Sequence, residues 1–266
     1  MKYLSNAINF AVRNWTLIIP LFVLTALASL IKGAGTAVSF ATLLSLLNPN
    51  NYMNIESILN MIWVFLAAVT GSSIVSFIVQ FIHQPATYGL VHKGLETGNV
   101  SLNDIGAAIS GNFVKYIMYF LGNLIVSVVI GLAAFVILLI MSLFTTVLKA
   151  FGVILTVLVI LALFIFLIAF DIFISLWFTA MVVDGFDLVN AFKKSVEIVK
   201  SCFWIVLGVT LLVTVAARLV SFILSFLNFV PLIGPVILSV IPSIQMFVMI
   251  IFRLMIYRDK TGRDYT

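Results

Sequence analysis

Charge is scarce in this chain of 266 residues: Asp, Glu, Lys and Arg together make up 9% of it, against about 25% in ordinary soluble domains. Hydrophobic residues make up 64%. A water-soluble fold of this length has no interior large enough to hide so many apolar side chains. The composition therefore predicts that a lipid bilayer surrounds the protein.

Groups that carry chemistry are equally few. Cys202 is the single cysteine, which excludes an intrachain disulfide and a cysteine-based metal cluster. The two histidines, His83 and His92, lack the i, i+4 spacing of a helical metal pair, so we expect neither a metal site nor a cofactor. No Ser/His/Asp set or phosphate-binding glycine loop is present, and we expect no catalytic residue, although a site assembled across helices stays open. The basic residues are too scattered for binding to nucleic acid.

Runs with little or no charge delimit six predicted helices, each long enough for the about 17–25 residues that cross the hydrocarbon core. The alternation of membrane β-strands is missing from these runs. We therefore expect an all-α, polytopic integral membrane protein that forms a single membrane domain over residues 1–266. The predicted spans are Trp15–Ile31, the stretch from Glu56 to His83, the stretch from Lys115 to Lys149, Ala150 to about Val183, Phe203 toward Asn228, and a last one that follows Pro231 and Pro235 and ends near Tyr257.

The distribution of positive charge predicts the orientation. With six spans, both termini and the loops after the second and fourth spans lie on one side, and these segments hold 11 of the 14 Lys and Arg residues. Lys32 and Lys149 fall on the other side, and Arg218 falls within a span. Because lysine-rich and arginine-rich loops stay in the cytoplasm, the sequence predicts a multi-pass protein of the inner (cytoplasmic) membrane with cytoplasmic N- and C-termini.

Three segments of similar pattern suggest an internal repeat over residues 1–94, 101–185 and 187–262. Each begins with a polar-to-amphipathic stretch that reaches an aromatic residue, and the second has a potential capping box at Ser101 and Asp104. Each ends with an apolar helix end, a charged residue and a glycine, in TYGLVHKG, FTAMVVDG and RLMIYRDKTG. A true triplication predicts three helical hairpins with cytoplasmic amphipathic helices, and convergence imposed by topology is the alternative.

Asp171 interrupts an uncharged run that extends from Ala150 to Val183. Counted at about 1.5 Å per residue from the predicted cytoplasmic ends, Asp171 lies about 18 Å deep and Arg218 about 22 Å deep. The two are therefore candidates for a buried polar site or an intramembrane ion pair. Three interpretations stay open: a structural pair, part of a path for a solute or proton, or an outward-reaching Arg218 beside a protonated Asp171.

Prolines and lysines give weaker candidates. Pro20 and Pro242 fall within predicted spans, where proline kinks a helix. Lys193, Lys194 and Lys200 lie on the polar side of an amphipathic stretch and form a candidate cytoplasmic interface. Three lysines are fewer than the about 4–8 basic residues of an anionic-lipid site, so these helices are expected to seal the cytoplasmic rim, with a docked protein partner as the alternative.

The six spans, the stretch WFTAMVVDGFDLVNAFKKSVEIVKSCFWIVLG and the closing YRDKTG carry a family resemblance. The chain resembles a family of bacterial and archaeal six-helix membrane proteins related to the membrane domain of some glycerophosphodiester phosphodiesterases. The resemblance implies a fold, and it carries no phosphodiesterase activity because no soluble phosphodiesterase domain is present. Its matching positions are Asp184, Gly185, Ala191, Phe192, Ser195, Trp204 and Tyr257–Asp259.

These observations together predict a non-enzymatic membrane protein in contact with membrane lipids. The first functional hypothesis is the handling or transport of a small or lipidic solute through a polar site at Asp171 and Arg218, between the fourth and fifth helices. The alternative is a scaffold or regulatory subunit that docks a partner on its cytoplasmic helices. The sequence sets no substrate and no oligomeric state.

Overall fold

The computed structural model describes residues 2–31, 55–230 and 233–263. Lys32 and Pro231, on which part of the predicted topology rests, lie outside these residues. Within them every regular element is a helix and no strand occurs, which confirms the all-α prediction. The α-helices are α1 (Lys2–Arg13), α2 (residues 19–31), α3 (Ile55–Thr97), α4 (Ile105–Leu148), α5 (Ala150–Ile174), α6 (Trp177–Val183), α7 (Leu188–Ile223) and α8 (Ile233–Lys260), with 3₁₀ turns at Trp15–Ile18, Leu102–Asp104 and Leu224–Phe229.

In the part of the chain that the structure describes, five helical stretches are long and apolar enough to cross a membrane, and the count rises to six if the bent pair formed by Lys2–Arg13 and Trp15–Ile31 is one span. The other five stretches are Ser73–Thr97, Leu102–Leu148, Ala150–Val183, Leu188–Asn228 and Ile233–Lys260. The structure thus has five or six helices of membrane-spanning length among the described residues, and the prediction of six spans holds if the bent pair is one span. The six-helix bundle, the triplication and the interfacial position of the amphipathic segments stay predictions.

The bend after α1 lies at Asn14. The backbone N–H of Asn14 and its side-chain amide both donate to the carbonyl of Phe10, at 3.0 and 3.1 Å. An asparagine side chain that bonds to the local backbone in this way competes with helix continuation, and Asn14 adopts a non-helical φ of −117°. The chain turns by 90° here, whereas Pro20 lies inside the helical residues of α2.

By internal contacts the chain divides into two compact units. Unit 1 comprises Met1–Phe113 and Val209–Ile256, with Asp264–Thr266, and unit 2 comprises Val114–Gly208 and Tyr257–Arg263. The prediction of a single domain is not tested by this division.

In unit 1, polar contacts between helices accompany a largely apolar core. The hydroxyl oxygens of Thr25 and Ser243 lie 2.6 Å apart and join α2 to α8. Leu17 and Leu21, which precede Thr25 in the chain, are fully buried. Gly89 lets α3 approach the start of α4 closely, because a Cβ atom at this position would lie 2.7 Å from the Cβ atom of Ala108.

In unit 2, α5, α6 and the first half of α7 pack through aromatic and small residues. Trp177 donates its indole N–H to the carbonyl of Leu188 at 2.8 Å, and its ring meets Phe192 edge-on at 5.0 Å between centroids. The absence of a side chain at Gly122 admits Leu188 and Trp177, whose atoms would lie 2.8 and 3.0 Å from a Cβ there. These contacts hold the turn between α6 and α7.

Cys202 marks an irregularity inside α7. Its backbone has φ −137° and ψ 21°, so the helix is kinked at this residue. The residues before it form the predicted amphipathic segment and those after it form the apolar half. Pro242, by contrast, lies inside the continuous helix α8. The kinks predicted at Pro20 and Pro242 therefore stay predictions, whereas the break at Cys202 carries no proline signal.

Candidate functional site

The structure places Asp171 near the end of α5 in unit 2 and Arg218 in α7 in unit 1. Both side chains are exposed on their helices. Because apolar neighbours along a membrane helix face lipid as readily as they face protein, this exposure does not test the predicted burial of the two residues in the bilayer. An ion pair between these two residues would join the two units, and it stays a prediction.

The predicted lysine face lies on the first half of α7. Lys193 and Lys200 are exposed, and Lys194 forms a surface ion pair with Glu197 at 3.1 Å. The opposite face is buried through Ala191, Ser195, Ile198 and Val199. This segment therefore has one packed and one charged face, and a partner or a lipid surface on the charged face stays a prediction.

Ser195 closes a break in the long apolar run of unit 2. Helix α5 ends at Ile174 and α6 begins at Trp177, and this interruption frees backbone groups that a helix would pair internally. The Ser195 hydroxyl donates to the carbonyl of Phe173 at 2.8 Å and accepts the N–H of Leu176 at 3.2 Å. One hydroxyl thus satisfies a donor and an acceptor at the break, and its complete burial makes both bonds important for stability.

A second cluster of polar contacts in unit 2 centres on Asp184, which follows the last residue of α6. Its carboxylate accepts a hydrogen bond from the hydroxyl of Tyr257 and forms an ion pair with Arg263. Arg263 also donates to the carbonyl of Val183 at 3.2 Å, so a cation caps the C-terminal end of α6. We call these four residues, Val183, Asp184, Tyr257 and Arg263, the C-terminal clasp.

Backbone geometry brings Arg263 into the clasp. Gly262 has φ +71°, a left-handed conformation that glycine adopts without steric cost. The N–H of Arg263 then bonds to the carbonyl of Arg258 and that of Gly262 to the carbonyl of Asp259, at 2.9 and 3.2 Å. This is a Schellman cap of α8. Gly185, with φ +67°, ends α6 with the same left-handed conformation.

The glycines that end two of the predicted repeats therefore share one backbone conformation. Gly94, which ends the first predicted repeat, lies inside α3, and the left-handed glycine nearest to it is Gly98, with φ +66°, beyond the end of that repeat. Asp104, in the predicted capping box, accepts the N–H of Ser101 at 3.0 Å and the ammonium of Lys93 at 2.7 Å. These similarities concern helix ends, and the triplication stays a prediction.

Unit 1 contains a cavity of about 630 Å³ whose wall is almost entirely apolar. Helix α1 contributes side chains at helical spacing, and the apolar half of α7 and the middle of α8 complete the wall. Gln245 is the polar side chain in this lining, and its amide N–H group lies 3.3 Å from the hydroxyl oxygen of Thr214. The lining residues are Leu4, Ile8, Ala11, Val12, Trp15, Ile18, Leu212, Val213, Ala216, Ala217, Val220, Ile241, Ile244, Gln245, Phe247 and Val248.

Helix α1 faces in two directions. Leu4 and Ala7 are buried, and a Cβ atom at Gly94 of α3 would lie 3.0 Å from the ring of Phe10, so one side of α1 is packed in unit 1. On the cavity side, Val12 and Trp15 remain 69% and 63% exposed. Large apolar groups left this open at a cavity wall are available to an apolar ligand.

Sequence reasoning missed this cavity. Its signal was present in α1, where Leu4, Ile8 and Ala11 recur at the spacing of one helical face. The wall residues of α7 and α8, however, look like any other membrane-helix residues. Their contribution to a cavity depends on packing that the chain order does not reveal.

The histidines and the other side chains able to bind a metal form no metal centre in the described part of the chain. His83 is buried on α3, and its Nδ1 atom has no hydrogen-bond partner among the described residues. His92 lies beside Glu96 at 3.6 Å, one helical turn away. Among the residues that the structure describes, no group of three or more His, Cys, Asp or Glu side chains is arranged to hold a metal ion.

Several residues that carry the family resemblance have structural roles within unit 2. Asp184 and Tyr257 belong to the C-terminal clasp, and Ser195 closes the α5–α6 break. Trp204, in contrast, is 79% exposed. No protein-family model, no curated protein and no solved structure matches this chain. The resemblance to the membrane domain of glycerophosphodiester phosphodiesterases therefore stays a prediction, and the geometry of unit 1 is the main guide to function.

Proposed function

We propose that this chain is an integral membrane protein that binds and handles a lipidic solute in the cavity of unit 1. The observation that carries the proposal is the almost wholly apolar wall of a cavity of about 630 Å³, within the about 300–1,000 Å³ of ordinary ligand sites. A small polar solute would lose its hydration there and find one polar side chain, Gln245, in return. Of the two predicted kinds of solute, small or lipidic, the apolar wall therefore favours the lipidic one.

The driving force for such binding is packing. An acyl chain gains little hydrophobic free energy when it leaves the bilayer for another apolar site. A cavity left without partner atoms, however, loses the dispersion contacts of its wall. A chain that fills it restores those contacts, which favours a flexible, unbranched hydrocarbon over a rigid polar molecule.

The proposal includes the location. The protein is placed in the inner (cytoplasmic) membrane with both termini in the cytoplasm, because the basic residues concentrate on that side of the predicted topology. Fluorescent-protein fusions at each terminus check this orientation, since such a protein becomes fluorescent in the cytoplasm and not after export through the general secretion pathway. A dark but stable C-terminal fusion would contradict the orientation.

The cavity is tested with a variant that fills it. Ala216 lines the cavity, and Ala216→Phe adds bulk where the ligand would lie. Val215, its neighbour on α7, lies outside the lining and is 53% exposed, so Val215→Phe is the matched control. With a conjugated fluorescent fatty acid as the probe and the purified protein in detergent, we expect saturable binding to the wild type and to Val215→Phe, and its loss in Ala216→Phe. Equal binding to all three proteins would refute the proposal.

A scaffold or regulatory subunit is the second candidate function. It is supported by the exposed face of α7 that carries Lys193 and Lys200, a surface that a cytoplasmic partner of acidic character would fit. Cross-linking in native membranes distinguishes the two functions. A cross-linked complex that disappears in Lys193→Glu/Lys200→Glu and persists in Ala216→Phe supports the scaffold, whereas an unchanged cross-linking pattern in the lysine variant contradicts it.

A further inference from the structure

The segments that form the cavity wall carry charge of one sign. Residues 2–31, 209–230 and 233–256 contain four basic residues, Lys2, Arg13, Arg218 and Arg253, and no acidic residue. Arg253 has interactions of its own, and the other three basic residues have no acidic counterpart within the same segments. A ligand that brings negative charge to this part of the protein would lower the repulsion among these groups.

Two of these arginines lie between cavity residues in the chain. Arg13 follows Val12 and precedes Trp15, and Arg218 lies between Ala217 and Val220, all four of these neighbours being part of the cavity wall. Both arginines are exposed. We call Arg13 and Arg218 the flanking arginines.

The flanking arginines are not used by the ion pairs within unit 1. Among the described residues of this unit, His92 pairs with Glu96 and Lys93 pairs with Asp104, and neither flanking arginine takes part in these pairs. An arginine held against an apolar region is stabilised by a phosphate or a carboxylate, which its planar group can bind through two parallel hydrogen bonds. A lipid headgroup is a source of such an anion next to an acyl chain.

We propose that the ligand of unit 1 is an anionic amphiphile: its acyl chain occupies the apolar cavity and its negatively charged headgroup pairs with one of the two flanking arginines. This inference rests on the proposed function, because it requires the chain to enter the cavity. It adds the chemical class of the ligand, an anionic phospholipid rather than a zwitterionic one.

Trp15 provides the probe, because it lines the cavity and is exposed to it. Replacement of Trp63, Trp177 and Trp204 by Phe leaves Trp15 as the single tryptophan, and brominated acyl chains quench tryptophan fluorescence on contact. The purified protein in detergent is titrated with dibrominated phosphatidylglycerol or dibrominated phosphatidylcholine of the same chain length. We expect phosphatidylglycerol to quench at about fivefold lower concentration, the effect of about one basic residue acting on an anionic headgroup.

Substitution of the arginines tests the contribution of the lipid headgroup to binding separately from that of the acyl chain. Either Arg13→Gln or Arg218→Gln should reduce the preference for phosphatidylglycerol, and the variant that reduces it identifies the end of the cavity at which the headgroup lies. Lys2→Gln, a basic residue of α1 outside the cavity lining, is the matched control and should keep the preference. A preference that survives in both arginine variants, or that falls equally in Lys2→Gln, overturns the role of the flanking arginines.

The same titration distinguishes failure of this inference from failure of the proposed function. Saturable quenching that is equal for the two lipids and lost in Ala216→Phe overturns the anionic headgroup and supports the chain site. Quenching that is unchanged by Ala216→Phe overturns both the anionic headgroup and the proposed binding of a chain in the cavity. If the single-tryptophan protein does not fold, native mass spectrometry of the protein with all its tryptophans counts bound phosphatidylglycerol and phosphatidylcholine, with the same variants and the same outcomes.

Discussion

Removal of the Asp184 carboxylate is predicted to be among the most damaging single changes in unit 2. The Asp184 side chain is 10% exposed and accepts from both Tyr257 and Arg263. In Asp184→Ala the hydroxyl of Tyr257, which belongs to a fully buried residue, loses its acceptor at a cost of about 1–3 kcal/mol. The Arg263 side chain is 44% exposed, so solvent screening limits the stability lost with its ion pair to Asp184 to about 1 kcal/mol or less. The expected total is about 1–4 kcal/mol.

The measurement is the apparent melting temperature of the purified protein in one detergent, since membrane proteins often unfold irreversibly and their stability is then read as a rate-dependent temperature. At about 2–4 °C per kcal/mol for a chain of this size class, a loss of about 3 kcal/mol corresponds to a decrease of about 6–12 °C. Glu197→Gln is the control, because Glu197 is 69% exposed in its pair with Lys194. It should shift the melting temperature by about 2 °C or less.

A double-mutant cycle tests the physical cause. If Tyr257 and Asp184 stabilise the protein through their hydrogen bond, the double variant Asp184→Ala/Tyr257→Phe should lose less than the sum of the single variants, by about 1 kcal/mol. Additive losses, or a loss in Asp184→Ala no larger than that in Glu197→Gln, would refute the reasoning about the C-terminal clasp.

Two further changes test local predictions. Ser195→Ala removes the hydroxyl that closes the α5–α6 break and should lower stability by about 1–3 kcal/mol. The control Ser201→Ala, at an exposed residue of α7, should lower it by about 0.5 kcal/mol or less. Equal melting temperatures of the two variants would contradict the role assigned to Ser195. The charge exchange Asp171→Arg/Arg218→Asp should recover the expression lost in the single variants if the two form an intramembrane pair, and no recovery in the double variant would show that they do not.

The helices could be predicted from the sequence because the bilayer leaves few options. An apolar run surrounded by hydrocarbon must pair its backbone groups internally, so it forms a helix of predictable length. The boundary at Lys149 illustrates this: α4 ends at Leu148, α5 begins at Ala150, and Lys149 itself adopts φ +46°. A residue of this polarity between two long apolar runs indicated a turn without reference to any structure.

The faces of those helices could not be predicted in the same way. In a soluble protein, polar residues mark the outer face of a helix, whereas in a bilayer the lipid-facing and protein-facing side chains are equally apolar. Asp171, which is exposed on α5, has apolar neighbours that do not show whether lipid or protein surrounds it. The cavity wall of α7 and α8 was invisible for the same reason.

The C-terminal clasp was missed for a different reason. Its parts, the Asp184–Gly185 turn and the segment from Tyr257 to Gly262, were recognised as similar helix ends. Their contact joins Asp184 to residues more than 70 positions away in the chain, and local patterns do not specify which helix ends meet. Helix-end signals predicted the turns, and tertiary packing determined their partners.

A density map of the protein in lipid nanodiscs, at a resolution that shows side chains, tests the central claim most directly. Because a 29.3 kDa chain is small for this method, a rigid antibody fragment bound to a terminal tag would provide the alignment mass. The proposed function predicts an elongated, unbranched density between α1, α7 and α8, in contact with Trp15 and Ala216. A map in which these side chains close on one another and leave no space for a chain would contradict it.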